Sequence, residues 1–491
     1  MRLTAILFLA MTVTAGAQTS QPTIIHITTS AEFESIPKLI RGGEVIRLAK
    51  GEYVTKAGLK LANRSGLTVT IEGDPSGGTI VRAGGAGKPV FAPEPGSGNY
   101  VFRHLTVTAG YGWQFHPPWP QGLTPESAAE LAERAARSDR DRAEVIECLS
   151  ADQVHDVLIE DCEVDGAALG AVQSGIYARN AGVRNLIVRR TKFHHTVGTE
   201  GTVDIGEWKD FKGVRNRLAD IPGSASRDLL FEDCEFVNPQ HNRSCGIVTQ
   251  PCTGDVTLRR CRSRNAAQYC FGLKSSGRVV LEECEAVGGD NGGIYCRGFG
   301  GIEGSDSGGT RPVHRATFEL TRCVTIAPAN SRGGAALLWR ENCDVTVRES
   351  TIVGLRHAAD WDDDGVVDKP GGGYAIVTYA HDIPCTLTIE RSTIAGYNSS
   401  SVIRMAKTTN ATFCGRGNLY GPKSDVTRFV WGQRNLATLE AWQAACGSDE
   451  SSRLADLPWQ FDSVALPLAR LWPANWQDEI PIRRPCVCEC D

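Results

Sequence analysis

The sequence predicts an all-β chain wound as a single-stranded, right-handed parallel β-helix with an N-terminal helical cap. Three observations carry this. First, one hexamer recurs along the chain. It runs Val157-Leu-Ile-Glu-Asp-Cys162, then Leu186–Thr191, Leu229–Cys234, Val256–Cys261, Val279–Cys284, Phe318–Cys323, Val345–Ser350 and Leu387–Ser392. Copies return at intervals as short as 23 residues, from Cys261 to Cys284. One strand-like segment per short period marks stacked coils. Second, the fifth residue of each copy alternates in sign without a break: Asp161, Arg190, Asp233, Arg260, Glu283, Arg322, Glu349, Arg391. Parallel in-register strands about 4.8 Å apart place each such residue between opposite charges. The fourth position nearly repeats the alternation. Third, a second strand type lies between the copies: Gly175–Arg179, Thr202–Ile205, Gly246–Gln250, Gly272–Ser276, Gly293–Arg297, Ala336–Arg340 and Ala375–Tyr379. The two types alternate, which is the layout of a β-helix.

The elements follow in chain order. Residues 1–17 read as a bacterial Sec-type signal peptide, with Arg2, an apolar run from Leu3 to Thr14 and the small-residue site Ala15-Gly-Ala17. The mature chain is therefore expected to be secreted or periplasmic. No later apolar run is long enough to span a membrane. The β-helix with its cap is expected over 18–430, and 431–491 as a tail packing on the solenoid. Ile24–Ile27 is a strand. Thr29 and Ser30 precede an amphipathic helix over 31–40 that closes the open apolar end of the solenoid. The coils are expected from about 60 to 420, roughly nine to eleven of them. Thr124-Pro125 opens a helical insertion to about Arg142, with Thr124 as N-cap and Pro125 in the first turn.

Within each hexamer the first, third and sixth residues point inward by the two-residue period, with a turn after the third. Cys162, Cys234, Cys261, Cys284 and Cys323 then form an internal column, where buried thiols act as small apolar side chains. Seventeen cysteines is a high count. Export permits disulfides, and Cys486, Cys488 and Cys490 have one another or Cys446 as possible partners. The net charge of −5 gives no support to nucleic-acid binding.

The alternating strands, the opening Thr29-Ser-Ala-Glu-Phe33, the run Gly42–Leu48 and Gly51-Glu-Tyr53 resemble the pectate-lyase-like superfamily of secreted β-helix proteins. Its cap is similar to that of the alginate lyase and chondroitinase B group. Leu439-Glu-Ala-Trp442 with Gly447-Ser-Asp449 and Ser451 resembles a tail common on secreted bacterial β-helix proteins. The resemblance implies the fold. The architecture hosts lyases, hydrolases, epimerases, esterases and adhesins, and the paired Asp motif of the polygalacturonases is not found.

Two constellations carry chemistry. Asp360-Trp-Asp362-Asp-Asp364-Gly365-Val-Val-Asp368 has carboxylates at positions 1, 3, 5 and 9 with Gly at 6. That is the ligand pattern of a calcium loop, and Asp360, Asp362, Asp364 and Asp368 are the expected ligands of a structural ion. The second is the outward face of the second strand type. Tyr177, Lys274 and Tyr295 project at one level; Arg179, Gln250, Arg297 and Arg340 project two residues on. The face collects Arg, Lys and Tyr and, on this reading, no carboxylate. Aromatic faces stack on sugars and cations pair with carboxylates, so an acidic polysaccharide is the expected partner. His241 and Asp290 lie on flanking loops as further substrate-binding candidates, and His194-His195 and Arg243 lie nearby. Glu207 and Asp210 sit in a long insertion beside them.

The sequence thus supports a polysaccharide lyase acting by β-elimination on a uronate-containing polymer. Lys274 would be the base, and Arg297 would neutralise the substrate carboxylate. Lys274 and Arg297 are expected on adjacent coils, offset by two residues, with Cα atoms about 7–8 Å apart. The alternatives are a non-catalytic carbohydrate-binding or surface protein, and a glycoside hydrolase, which needs two carboxylates about 5–9 Å apart. A monomer is expected.

Overall fold

The computed structural model describes residues 21–457, apart from 86–87, 109–110, 116–153, 167–173, 179–181, 195, 197–200, 207–225, 238–244, 250–252, 265, 267, 276, 290–291, 299–314, 330–334, 341–342, 357–373, 380–384, 398–400, 406–409 and 422–428. The signal segment, the 124–142 insertion and the chain beyond 457 lie outside these residues. Among the described residues no helix is long and apolar enough to cross a membrane.

Among the described residues each coil adds one strand to each of three sheets, and each sheet has 13 strands. One turn shows the path. Val154–Glu160 lies in sheet A, Glu163–Asp165 in sheet B and Ser174–Ala178 in sheet C, before the chain returns to sheet A at Val183–Arg189. Successive coils pair in parallel. Among the described residues the exception is the hairpin of Phe429–Trp431 with Arg434–Leu436, which is antiparallel. The β-helix prediction holds, but the solenoid is longer than 60–420. It starts at Thr23–Ile27, paired with Glu44–Leu48, and ends at Arg453–Leu454. These outer coils lack the Cys/Thr/Ser position that made the hexamer recognisable.

The interior follows the two-residue period. Val157, Ile159 and Cys162 are buried, as are their equivalents in later coils. The sixth-position column has a polar task as well as a packing one. The thiols of Cys234, Cys261, Cys284 and Cys323 donate to the carbonyls of Val188, Phe231, Leu258 and Leu281 in the preceding coil, at 3.3–3.4 Å. Serving corner carbonyls in this way keeps buried acceptors satisfied. All described cysteines are free thiols. Burial pushes the Cys162 thiol up to about 12, so it stays protonated and inert at ordinary pH.

The charge ladder is the corner between sheets A and B. Asp161, Arg190, Asp233, Arg260, Glu283, Arg322, Glu349 and Arg391 all have left-handed backbones, with φ between 47° and 54°. A non-glycine residue there costs roughly 1–2 kcal/mol. Charge pairing offsets part of this. Arg190 reaches Asp161 at 2.7 Å, Arg260 reaches Asp233 at 2.7 Å, and Arg391 reaches Glu349 at 2.8 Å. Arg189 pairs with Glu232, which sets Arg190 beside Asp233 as predicted.

The Arg190 and Arg260 guanidiniums hold the Asp161 and Asp233 carboxyls below the usual carboxylate range. A depressed folded pKa stabilises the fold above the unfolded value of about 3.9, and that contribution disappears as pH falls through the folded value. An Asp161→Asn/Asp233→Asn variant should therefore melt below the parent at pH 7. The gap should close near pH 2, and a gap independent of pH would contradict the ladder's role.

The outer face of sheet A carries two further columns. From Arg47 through Glu72, Arg103, Glu160, Arg189, Glu232 and Arg259 to Glu282, consecutive rungs alternate in sign. Two residues earlier on the same rungs run Val45, Thr70, Val101, Leu158, Ile187, Leu230, Thr257 and Val280, all partly exposed. Glu319 follows Val280 and ends the apolar stripe.

Both ends are closed. The helix Ser30–Leu39 starts in a capping box of Thr29 and Glu32. It buries Phe33 and Ile36, with the Phe33 ring 5.6 Å from Tyr53 and 6.2 Å from Phe91. At the far end, Trp442 of the helix Leu439–Cys446 is buried among Phe413, Phe429 and Trp431.

Candidate functional site

The corner between sheets A and B is tight, one or two residues in each regular coil. The connections on either side of sheet C include the longest of the solenoid, among them the 21 residues between Ile205 and Arg227, although only two residues follow Ser275 and Arg340. Sheet C is therefore the strand face framed by loops, the usual setting for a binding site on a rigid scaffold.

Register fixes which side chains share that face. Ile176, Val203, Ile247, Phe271, Ile294, Leu337 and Ile376 align and point into the core. The next residue of each strand projects outward: Tyr177, Asp204, Val248, Gly272, Tyr295, Leu338 and Val377. Two residues further, Lys274 is directly opposite Arg297. Cys296 is opposite Trp339, which sets Arg297 beside Arg340, and Arg340 is opposite Tyr379.

This corrects the sequence reading in three places. Lys274 does not share a level with Tyr177 and Tyr295; Gly272 does. Lys274 and Arg297 are not offset by two residues, and directly opposed parallel positions put their Cα atoms about 4.8 Å apart. The cause is the glycine used as a marker. Gly272 looked equivalent to Gly175 and Gly293, but the hydrogen-bond ladder aligns Phe271 with Ile294. Finally, the face does hold a carboxylate. Asp204 lies between Tyr177 and Val248 and is buried.

The first outward column is largely covered. Val248, Tyr295, Leu338 and Val377 are buried although they project from the outer surface. The Tyr295 ring stacks on Tyr269 with centroids 4.8 Å apart and planes at 18°. The Arg340 guanidinium sits 5.9 Å from its centroid. Tyr295 is thus not an open platform for a sugar. It forms the wall that holds Arg340, by the attraction of a cation to a ring face. Further along, Arg404 donates to the Tyr374 hydroxyl at 2.8 Å and lies over the same ring.

Lys274, Arg297 and Arg340 are partly exposed. Among the described residues they are the one run of three cations in register on consecutive rungs. The corner and the fourth-position column of sheet A alternate in sign, as do Glu163, Lys192, Glu235, Arg262 and Glu285 on sheet B. Arg matches carboxylates in two-point geometry.

The other candidates fall elsewhere. Tyr177 is partly exposed, on the same face as Asp204. His194 is on sheet B, where its Nε2 is 2.8 Å from Glu163 Oε1 and its Nδ1 is 3.7 Å from Asp165 Oδ1. Arg179, Gln250, His241, Asp290 and the acidic loop with Asp360, Asp362, Asp364 and Asp368 lie outside the described residues. Among the described residues no group of three or more His, Cys, Asp and Glu could hold a metal ion.

Residues 146–306 match the family described as right handed beta helix region. No curated protein matches the sequence. Among solved structures, the A-module of the mannuronan C-5 epimerase AlgE4 of Azotobacter vinelandii aligns over 82% of this chain and 94% of that one, at 12% identity and a TM-score of 0.46. A mannuronic acid specific polysaccharide family 6 lyase from human gut microbiota aligns over 89% and 92%, at 10% identity and 0.45. A mutant of the periplasmic alginate epimerase AlgG aligns over 80% and 83%, at 11% identity and 0.44. These likenesses are weak, and the fold rests on the strand registers and the family match. Together these show that the chain folds as a right-handed parallel β-helix.

Proposed function

We propose that the protein is an exported, polysaccharide-active enzyme that cleaves an acidic, uronate-containing polymer by β-elimination on the outer face of sheet C. The observation that carries this is the stack of Lys274, Arg297 and Arg340 on consecutive rungs. In such a reaction a cation neutralises the substrate carboxylate and so acidifies the proton at C5, and a base removes that proton. The C4–C5 double bond forms as the C4–O glycosidic bond breaks, the departing oxygen taking a proton from water. Arg297 takes the first task and Lys274 the second. A flanking guanidinium favours the neutral amine that a base requires. Arg340, steadied by Tyr295, extends the cationic track to the next sugar. A hydrolase would need a pair of carboxylates, and the described outward positions of these strands supply Asp204 alone.

The test is migration in native gels containing alginate, pectate or a glycosaminoglycan, against gels with a neutral glucan. The acidic polymers should retard the protein, and salt should relieve the retardation. Equal migration in every gel would remove the support that the cation column gives.

Calcium belongs to the same proposal, on the spacing of Asp360, Asp362, Asp364 and Asp368. Close-set carboxylates repel without a cation. Added calcium should raise the melting temperature, EDTA should reverse the rise, and Asp362→Ala should abolish it. Melting indifferent to calcium would refute this site.

A further inference from the structure

On the outer face of sheet A two outward columns, each eight rungs long, are palindromic along the solenoid axis. We infer that this face is a docking surface for a second, antiparallel copy of the same chain.

The geometry follows from one symmetry operation. Consider a two-fold axis parallel to the strands, passing between the rungs of Leu158 and Ile187. It reverses the order of the rungs and lays each outward column over its own copy. On the apolar stripe Leu158 then meets Ile187, Val101 meets Leu230, Thr70 meets Thr257, and Val45 meets Val280. Aliphatic faces aliphatic on three of these rungs, and threonine faces threonine on the other. On the charged column the same operation sets Glu160 against Arg189, Arg103 against Glu232, Glu72 against Arg259, and Arg47 against Glu282. A ladder that alternates rung by rung is inverted by a two-fold between rungs, so every charge meets its opposite. A two-fold through a rung would oppose like charges.

A third column agrees. Asn99, Asp156, Asn185 and Asp228 occupy left-handed positions near the starts of four consecutive sheet A strands. The operation sets Asp156 against Asn185 and Asn99 against Asp228, an acceptor facing an amide each time. Within the chain, Asn185 already donates to Asp156 at 2.5 Å.

Apolar centre, charged rim and two-fold self-complementarity are the anatomy of an isologous interface. Seven rung steps span about 34 Å and three outward columns about 13 Å, so roughly 900 Å² would be buried in all. That is below the size of a permanent interface and fits a weak, concentration-dependent dimer. The loop-framed face of sheet C stays free, so the inference does not depend on the proposed function.

Sedimentation velocity of the full chain, from about 1 to 100 µM, tests it. The expected result is a monomer–dimer equilibrium. Ile187→Glu and Leu230→Glu should each weaken it by at least about ten-fold. Thr346→Glu, in the same column beyond the palindrome, should leave it unchanged. If a substitution lowers stability, hydrogen exchange of the parent protein serves instead. Concentrating the protein should slow exchange on the sheet A strands 97–103, 154–160, 183–189 and 227–232, and leave sheets B and C unaffected. A monomer at every concentration would overturn the inference. So would a trimer, indifference to Ile187→Glu in a folded variant, or equal sensitivity to Thr346→Glu.

Discussion

Asp449→Ala is expected to release the C-terminal cap, destabilising it by about 3–5 kcal/mol. The carboxylate is buried and is the common acceptor of that end. The Tyr420 hydroxyl donates to it at 2.6 Å, Asn418 Nδ2 at 3.2 Å, Trp442 Nε1 at 3.3 Å, and the Ser452 hydroxyl also donates. Alanine would leave these donors buried without an acceptor, each costing about 1–3 kcal/mol before relaxation. Asp449 also has a left-handed backbone, with φ of 74°, which asparagine tolerates better than alanine. Asp449→Asn keeps one carbonyl acceptor and should lose much less. Stacked coils contact only their neighbours, so the loss should begin locally. Hydrogen exchange should therefore rise first in residues 429–454, ahead of the central coils. Uniform exchange, or an Asp449→Ala protein that melts like the parent, would contradict this account of the cap.

The sequence is most readable where one short pattern does two jobs. The hexamer ending in Cys162 or Cys261 combines inward apolar residues, a charged corner and a small buried donor, so its register shows from composition alone. Sheet C lacks such a marker. Glycine entered the pattern at Gly175, Gly246, Gly272 and Gly293, but glycine has no side chain to pack and does not fix a register. The inward pairs Ile247/Thr249, Phe271/Leu273 and Ile294/Cys296 do fix it. Counting from those pairs would have put Lys274 opposite Arg297. Aligning Val203 with Ile176 would likewise have shown Asp204 beside Tyr177. The burial of Tyr295 has no such signal, because cover by neighbouring segments does not follow from strand periodicity. The first coil, at Glu44–Leu48, falls outside the expected span of about 60 to 420 because it continues the charge ladder through Arg47 but carries no cysteine beyond it.

Lys274→Ala is expected to reduce turnover on a polyuronate by about 10²–10⁴-fold, the usual worth of a general base. The fold should be unaffected, because Lys274 projects outward and Leu273 beside it carries the core contact. Arg297→Ala should act differently. Lys274 stays opposite the vacated position, but it loses the guanidinium that favours its neutral form and the substrate carboxylate loses its neutralising cation, so kcat should fall while carboxylate binding weakens. KM should rise and the salt dependence of binding should flatten. The most direct measurement is absorbance near 235 nm, where the unsaturated sugar left by β-elimination absorbs, with alginate, pectate and glycosaminoglycans as substrates. The account predicts a steady rise with at least one acidic polymer, abolished in folded Lys274→Ala protein. No rise with any of them, or a rise that survives Lys274→Ala, would contradict it.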